Sequence, residues 1–254
     1  MLPNNFKPRA TFNLVRLGKN NDGGYLVDKD SIYNSKSLVS MGIGKDWSFE
    51  KDFYAKKPVT INAYDHTIDI FFWIRFFIKK ILRVFLGQFS APYRGMLIFI
   101  DFNNFFTHKA QFFGKKIGSC QFSTTSIDQA MEKLSNNEHP VFFKLDIESS
   151  EYEVLDQLID NAEYMTALVI EFHHVDKHQR QIEQFIDSFS LELVHIHPNN
   201  NRGNDSKGDP LTLEMTFAGR PQPISKEVIL PNILDQVNVP RKDDTKLIFS
   251  PELA

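Results

Sequence analysis

The stretch VFFKLDIESSEYEVL, Val141 to Leu155, sets Asp146, Glu148 and Glu151 against the end of an apolar, strand-like run. Acids at the carboxyl end of a buried strand are costly to desolvate unless paired, hydrogen-bonded or bound to a cation. The pattern recurs downstream. Glu171 and His173 close ALVIEFH two residues apart, and so on one side of a strand. His195 and His197 close LELVHIH in the same way, and Glu214 sits inside LTLEMTFA. Carboxylates with imidazoles suit Mg²⁺, Mn²⁺ or a 3d metal, and they equally suit general-base chemistry. Asp146 is read as a site residue with Glu148 as a further candidate. Glu151 is read as an acid in the first turn of the next helix, where it favours the helix dipole.

A second set of residues could hold a nucleoside. SLVSM, Ser37 to Met41, runs into Gly42-Ile43-Gly44 and then a helical stretch. Glycines there let the backbone approach a ligand and a helix N-terminus face it. VTINAY ends at Asp65-His66, about twenty residues later, where an acid can accept both ribose hydroxyls. GIGKDW lacks the third glycine of a pyrophosphate grip, so a nicotinamide dinucleotide is poorly served.

The elements that must position these groups alternate. Strands are predicted at 37–41, 59–64, 141–147, 167–172, 191–196 and 211–218, with weaker candidates at 96–100 (MLIFI) and 115–119. Helices are predicted at 47–56, with Asp46 as N-cap, and at 126–134, 151–159 and 176–189. Alternation of this kind gives an α/β fold, a mostly parallel sheet with helices on both faces, whose ligands lie beyond the carboxyl ends of the strands. No linker divides residues 1–254, which read as one domain with a helical insertion at about 68–113 and a Pro-punctuated tail at about 220–254.

Ile68 to Leu86 (IDIFFWIRFFIKKILRVFL) could be mistaken for a membrane span, but it holds Asp69, Arg75, Lys79, Lys80 and Arg83. At 100° per residue these charges fall within roughly 140°, which leaves a broad apolar face. The segment is an amphipathic helix that does not span. It either packs on the core or lies on a membrane surface or a partner.

Composition narrows the class. Of 254 residues 42% are hydrophobic and 24% charged, which describes a globular chain with a sizeable core. The net charge of −3 gives no general reason to expect nucleic acid. A lone cysteine, Cys120, excludes an internal disulfide and reads as a small buried residue. MLPNNFKPRATF has no apolar core of a signal peptide, so the chain reads as cytoplasmic, with peripheral contact at the inner face of the membrane if 68–86 binds lipid.

KLDIESSEYEVL resembles the K-[IL]-D-I-E-G-x-E-x-x-V-L signature of the FkbM-type S-adenosylmethionine-dependent methyltransferases. RLGKNNDGGYLV, LVSMGIGKDWSFEKDF, AYDHTID, ALVIEFHHVD, VHIHPNN, LEMTF and the tail LPNILDQVNVPRKDD fit the same family in order. The family glycine after D-I-E is Ser149 here. The resemblance implies a Rossmann-like methyltransferase fold, seven strands with the last antiparallel. It implies S-adenosylmethionine over Gly42, Ile43 and Gly44, with Asp65 on the ribose and His66 beside it. Arg16, Asp22, Gly23, Gly24, Tyr25 and Glu50 complete the cofactor set. It implies O-methylation of a hydroxyl of a sugar or a polyketide, read here as a sugar hydroxyl of a surface-polysaccharide precursor or similar glycan, free, nucleotide-linked or lipid-linked. Related enzymes hold a divalent metal at the ends of the fourth and fifth strands, which here are Asp146 and the Glu171/His173 pair, for Mg or Mn. In that scheme Asp146 anchors acceptor or metal, His173 is base or ligand, and His195 and His197 are reserves. The insertion is expected to cap the acceptor pocket. The alternatives are a glycosyltransferase using Asp146-x-Glu148 as a metal motif on a sugar nucleotide, and a non-catalytic protein binding a partner through the aromatic helix.

Overall fold

Val141–Leu145 is buried along its whole length, Lys144 included, as a central strand covered on both faces must be. The computed structural model describes residues 1–119 and 124–251, so Cys120 lies outside the described residues. Seven strands form the main sheet in the order Glu192–Pro198, Thr212–Ala218, Met165–His173, Val141–Leu145, Ser37–Met41, Thr60–Tyr64 and Gln111–Phe113. From Met165–His173 to Gln111–Phe113 every pairing is parallel. Thr212–Ala218 is antiparallel to both its neighbours. This is the Rossmann-like methyltransferase sheet, with its topological switch point between Ser37–Met41 and Val141–Leu145.

Helices cover both faces. Ile127–Met131, Leu155–Asp160 and Val175–Ser188 share one core with Val39, Phe143 and Ile170. Lys29–Asn34, Ser48–Lys56 and the end of Ala91–His108 share the other with Leu38, Phe142 and Val169. Much of the phenylalanine goes here. Phe142 meets Phe53 edge to face at 5.0 Å, the quadrupole-favoured geometry.

Before the sheet, Leu14–Leu17 and Tyr25–Asp28 form an antiparallel ribbon whose connecting loop carries Asp22-Gly23-Gly24. After it, residues 220–251 form little regular structure beyond Pro223–Ser225. They nevertheless dock. Asn21 donates its side-chain amide to the Val237 carbonyl at 2.8 Å, and Asn200 Oδ1 accepts the Val239 N–H at 2.8 Å. The tail thus closes over the ribbon loop and the end of Glu192–Pro198.

Four expectations are corrected. Met96–Ile100 lies inside the helix Ala91–His108, because a short apolar run does not by itself distinguish strand from helix. The edge strand is Gln111–Phe113, a less hydrophobic stretch that earns its place by pairing with Asn62–Tyr64. Within 115–119 only Lys116–Ile117 pairs, with Thr124–Thr125 outside the main sheet. The helix expected over 151–159 begins as a 3₁₀ turn, Glu151–Glu153, and becomes α-helical only at Leu155–Asp160. The helix placed after Asp46 starts at Ser48, whose N–H the Asp46 carboxylate accepts at 3.1 Å, with Trp47 at the cap position.

The insertion is a helical hairpin. Ile70–Leu82 is capped by Asp69, which accepts the Phe72 N–H at 2.6 Å. A 3₁₀ turn, Arg83–Leu86, leads to Gly87 in the left-handed region and then to Ala91–His108. Trp73 packs on Phe99 at 4.8 Å and on Phe102 at 5.3 Å. Gly95 allows the close approach, since a Cβ there would sit 3.1 Å from Lys80 Cγ.

Candidate functional site

Strand register brings the chemistry into one line. Met41 pairs with Tyr64 on one side and Leu145 on the other, and Leu145 pairs with Ile170. The residues that follow these partners, Asp65, Gly42, Asp146 and Glu171, therefore emerge side by side. Glu171 pairs in turn with Glu214, and Glu214 with His197. The row runs across the carboxyl ends of the parallel strands, and its first three members border a cavity of about 310 Å³ at the switch point. That volume falls at the lower end of the roughly 300–1,000 Å³ of small-molecule sites.

The cavity has a glycine side and an acid side. Gly42 sits at φ +78° against the Asp146 backbone, where a Cβ would fall 1.6 Å from the Asp146 carbonyl oxygen. Gly44, at φ +52°, has no heavy atom of the described residues within 4 Å of where its Cβ would be. Its N–H donates to Asp65 Oδ2 at 2.7 Å, which ties the glycine turn to the acid. Asp22, Gly23, Tyr25, Ile43, His66, Asp146 and Glu148 also line the cavity. Arg16, Gly24 and Glu50, expected on the cofactor, do not. The Arg16 guanidinium braces the ribbon loop through the Asn21 carbonyl at 2.7 Å, and Gly24 packs on that guanidinium. Glu50 is fully buried behind the cavity, where it accepts the Ser40 hydroxyl and lies 3.7 Å from Lys144 Nζ. None of residues 68–113 lines this cavity, while Leu97, Ile98 and Asp101 of the hairpin line a neighbouring one that shares Asp46 with it. The hairpin is rooted on Trp47 by Phe102 at 5.2 Å, and on the helix Ser48–Lys56 by Phe105 against Tyr54 and by Asp101 against Lys51.

On the acid side, Asp146, Glu171 and His173 each bring one ligand atom within 4.8 Å of the others. The Tyr25 hydroxyl lies 3.2 Å from both Asp146 Oδ2 and Glu171 Oε2 and can donate to one at a time. Asn199 donates to Glu171 Oε1 at 3.0 Å, and Asn238, from the tail, to Glu214 Oε1 at 2.6 Å. Burial pushes the Asp146 carboxyl up to about 6, with Glu151 and Glu148 adding to the rise and Lys144 and His173 opposing it. Burial, then Asp146, Glu214 and Asp22, hold Glu171 well above the usual carboxylate range. The Tyr25 phenol is raised by burial and then by Asp146, Glu171 and Glu214. Mutually repelling buried acids favour a cation among them, and two carboxylates with one imidazole are a donor set that Mg²⁺ or Mn²⁺ accepts.

His173 is held from behind. Its Nδ1 meets Glu151 Oε1 at 2.9 Å, while Nε2 lies 3.5 Å from Glu171 and 3.7 Å from Glu148. Burial alone lowers an imidazole pKa, but the bond to Glu151 and the charges of Glu151, Asp146 and Glu148 raise it overall. Glu148 is the outlying acid, with its side chain 72% exposed and paired to Arg202 at 2.6 Å. His195 and His197 lie further along the sheet, His195 against Asp235 of the tail at 2.9 Å and His197 against Glu214 at 3.5 Å. They stand away from the cavity.

Sequence reasoning missed two residues. Glu151, taken for a helix-start acid, is the partner of His173, and its burial shows in nothing local. Lys144 donates to the Gly42 carbonyl at 3.0 Å and stands over the Tyr25 ring at 5.7 Å, joining the two sides of the site. A lysine inside VFFKL was its signal, since a buried charge needs a partner.

The strand order is that of the Rossmann-like methyltransferase fold. Residues 90–201 match the family model of the methyltransferase FkbM domain, which supports the FkbM-type methyltransferase family for this chain and, with it, S-adenosylmethionine as methyl donor. No curated protein matches significantly. Similar solved structures include precorrin-6y C5,15-methyltransferase from Geobacter metallireducens GS-15, 11% identical over 75% of this chain and 85% of that one, with a TM-score of 0.40. The METTL16 methyltransferase domain is 8% identical over 75% and 64%, with a TM-score of 0.40. An rRNA methylase from Streptococcus thermophilus is 9% identical over 74% and 92%, with a TM-score of 0.37.

Proposed function

We propose that this chain is an O-methyltransferase acting on a sugar hydroxyl of a surface-polysaccharide precursor or a similar glycan. The observation that carries the reading is the register row, which sets a nucleoside-type pocket (Asp65, Gly42, Gly44) directly beside a base-and-ligand cluster (Asp146, Glu171, His173). Bound S-adenosylmethionine supplies a methyl already activated on a sulfonium. The chain's task is then to align the acceptor oxygen and remove its proton.

Asp65, oriented by the Gly44 N–H on one oxygen and by Thr67 on the other, would accept the ribose hydroxyls. Glu151 holds the Nδ1 side of His173, which leaves Nε2 to take the acceptor proton, and the raised basicity of that imidazole suits the role. Asp146 and Tyr25 orient the acceptor beside it. Alternatively, Asp146, Glu171 and His173 would hold a divalent Mg or Mn ion, which would lower the pKa of a bound hydroxyl and take the place of His173 as base. Lys115 and Lys116 at the cavity rim supply positive charge for a phosphate on a nucleotide-linked or lipid-linked acceptor.

Calorimetric titration with S-adenosylmethionine and its demethylated product, first in EDTA and then with Mg²⁺ or Mn²⁺, tests the reading. Micromolar binding is expected, and a metal effect would assign Asp146, Glu171 and His173 as ligands. Binding without a metal effect would leave His173 as a simple base. Absence of binding under every condition would retire the proposal.

A further inference from the structure

The hairpin from Ile70 to His108 leaves a large apolar face exposed. On the helix Ile70–Leu82 the half-buried Trp73, Phe76 and Phe77 pack inward, and no residue is fully buried. On its other side Ile70, Ile74, Ile78 and Ile81 recur at helical spacing, all exposed. Tyr93, Met96, Leu97 and Ile100 do the same on the helix Ala91–His108. Between the helices, around Gly87, Phe85, Leu86 and Phe89 are 83%, 77% and 78% exposed. Apolar residues scattered singly on a surface need no explanation, but a contiguous face on one projecting hairpin does.

Charge says what covers it. Residues 70–100 contain Arg75, Lys79, Lys80, Arg83 and Arg94 and no Asp or Glu, in a chain of net charge −3. Arg75, Lys79 and Arg83 follow one another at intervals of four along the edge of the apolar face. A second copy of this chain docked hairpin to hairpin would bring the same cations together. An anionic lipid surface would meet cations at the rim and apolar side chains at the centre. Among the described residues no helix is long and apolar enough to cross a membrane, so the hairpin would lie at the interface.

We propose that this hairpin docks the protein on an anionic bilayer. Phe85, Leu86 and Phe89 enter the boundary between headgroups and acyl chains, and Arg75, Lys79 and Arg83 meet lipid phosphates. The face lies outside the cavity, so docking stands independently of the methyl-transfer reading.

Sedimentation of the full chain with vesicles tests this. Vesicles of phosphatidylcholine with about 30% phosphatidylglycerol should bind it roughly 10-fold more strongly than phosphatidylcholine alone, and added salt should release it. Phe85→Ser with Phe89→Ser, and separately Arg75→Gln with Lys79→Gln and Arg83→Gln, should each weaken binding by roughly 10-fold, with unchanged far-ultraviolet circular dichroism. If a variant loses helical signal, the salt titration of the unaltered chain decides instead. Failure to bind the anionic vesicles overturns the proposal, as does binding indifferent to salt and to both sets of substitutions. A dimer in light scattering that the Phe85/Phe89 substitutions dissolve, without vesicle binding, would assign the face to a second copy and also overturn it.

Discussion

Nδ1 of His173 lies 2.9 Å from Oε1 of Glu151, with both side chains buried. The same oxygen accepts the N–H groups of Ile147 at 3.3 Å and Ser149 at 3.2 Å. Glu151 therefore binds the Asp146–Ser150 loop to the imidazole and sets which nitrogen faces the acids.

Glu151→Gln keeps the size of the side chain and removes its charge. Burial then dominates His173, so its pKa should fall, as an NMR titration of the imidazole would read. Methyl transfer should drop roughly 10–100-fold, as for loss of a partner that orients a ligand or base. Affinity for S-adenosylmethionine should hold. An unchanged imidazole titration and an unchanged rate would reduce the pair to packing.

Asp146 carries a stability cost that follows from its raised pKa. A carboxyl whose folded value is about 6 holds its proton more tightly in the folded chain than in the unfolded one. The cost is absent below the ordinary carboxylate value, grows as pH rises toward about 6, and is fully present at neutral pH. Asp146→Asn should thus stabilise the fold at pH 7, by on the order of 1 kcal/mol, while abolishing methyl transfer. In the unaltered chain, activity should fall as pH drops, first as the His173 base takes up its proton above the ordinary imidazole value and further through about 6, where Asp146 does. Denaturant unfolding at pH 4 and pH 7 beside a pH–rate profile checks both signs.

The two glycines of the first turn should separate fold from ligand. At Gly42 a Cβ would meet backbone at 1.6 Å, so Gly42→Ala should cost about 4 kcal/mol or more in denaturant unfolding. At Gly44 only the left-handed backbone opposes alanine, so Gly44→Ala should cost roughly 1–2 kcal/mol. Its larger effect should be weaker cofactor binding, read by calorimetry. Equal stability losses at both positions would contradict the close packing of Gly42 on the Asp146 strand end.

Ser149 adopts φ +81°, beside Glu148 at φ +53°. A left-handed φ at this position explains why a glycine follows D-I-E in the family signature. Ser149→Gly should relieve the backbone and stabilise the protein by about 1 kcal/mol, seen as a higher denaturant midpoint. A destabilised variant would mean that the serine side chain contributes more than its backbone costs.

How much was legible beforehand depended on range. All six main predicted strands stand within two residues of their expected ends, because β-branched, apolar runs stopping in acids or glycines are local signals. Val141–Ile147 is the same kind of run, and its strand ends at Leu145 because Asp146 turns into the site. MLIFI was misread because five apolar residues suit a helix as well as a strand, and its neighbours decided. The role of the hairpin was open for the same reason. Its amphipathic pattern was visible, but which surface it packed on was not.

The sequence alone determined the two ingredients of the site, a glycine turn with an acid about twenty residues on and a set of strand ends bearing carboxylates and imidazoles. Alternation along a strand tells which face a side chain takes, not which residue lies opposite on the next strand. The alignment of Asp65, Gly42, Asp146 and Glu171, and the pairing of His173 with Glu151, were decided by tertiary structure. Inter-strand hydrogen bonds between segments up to about a hundred residues apart set that register, and no local pattern encodes it.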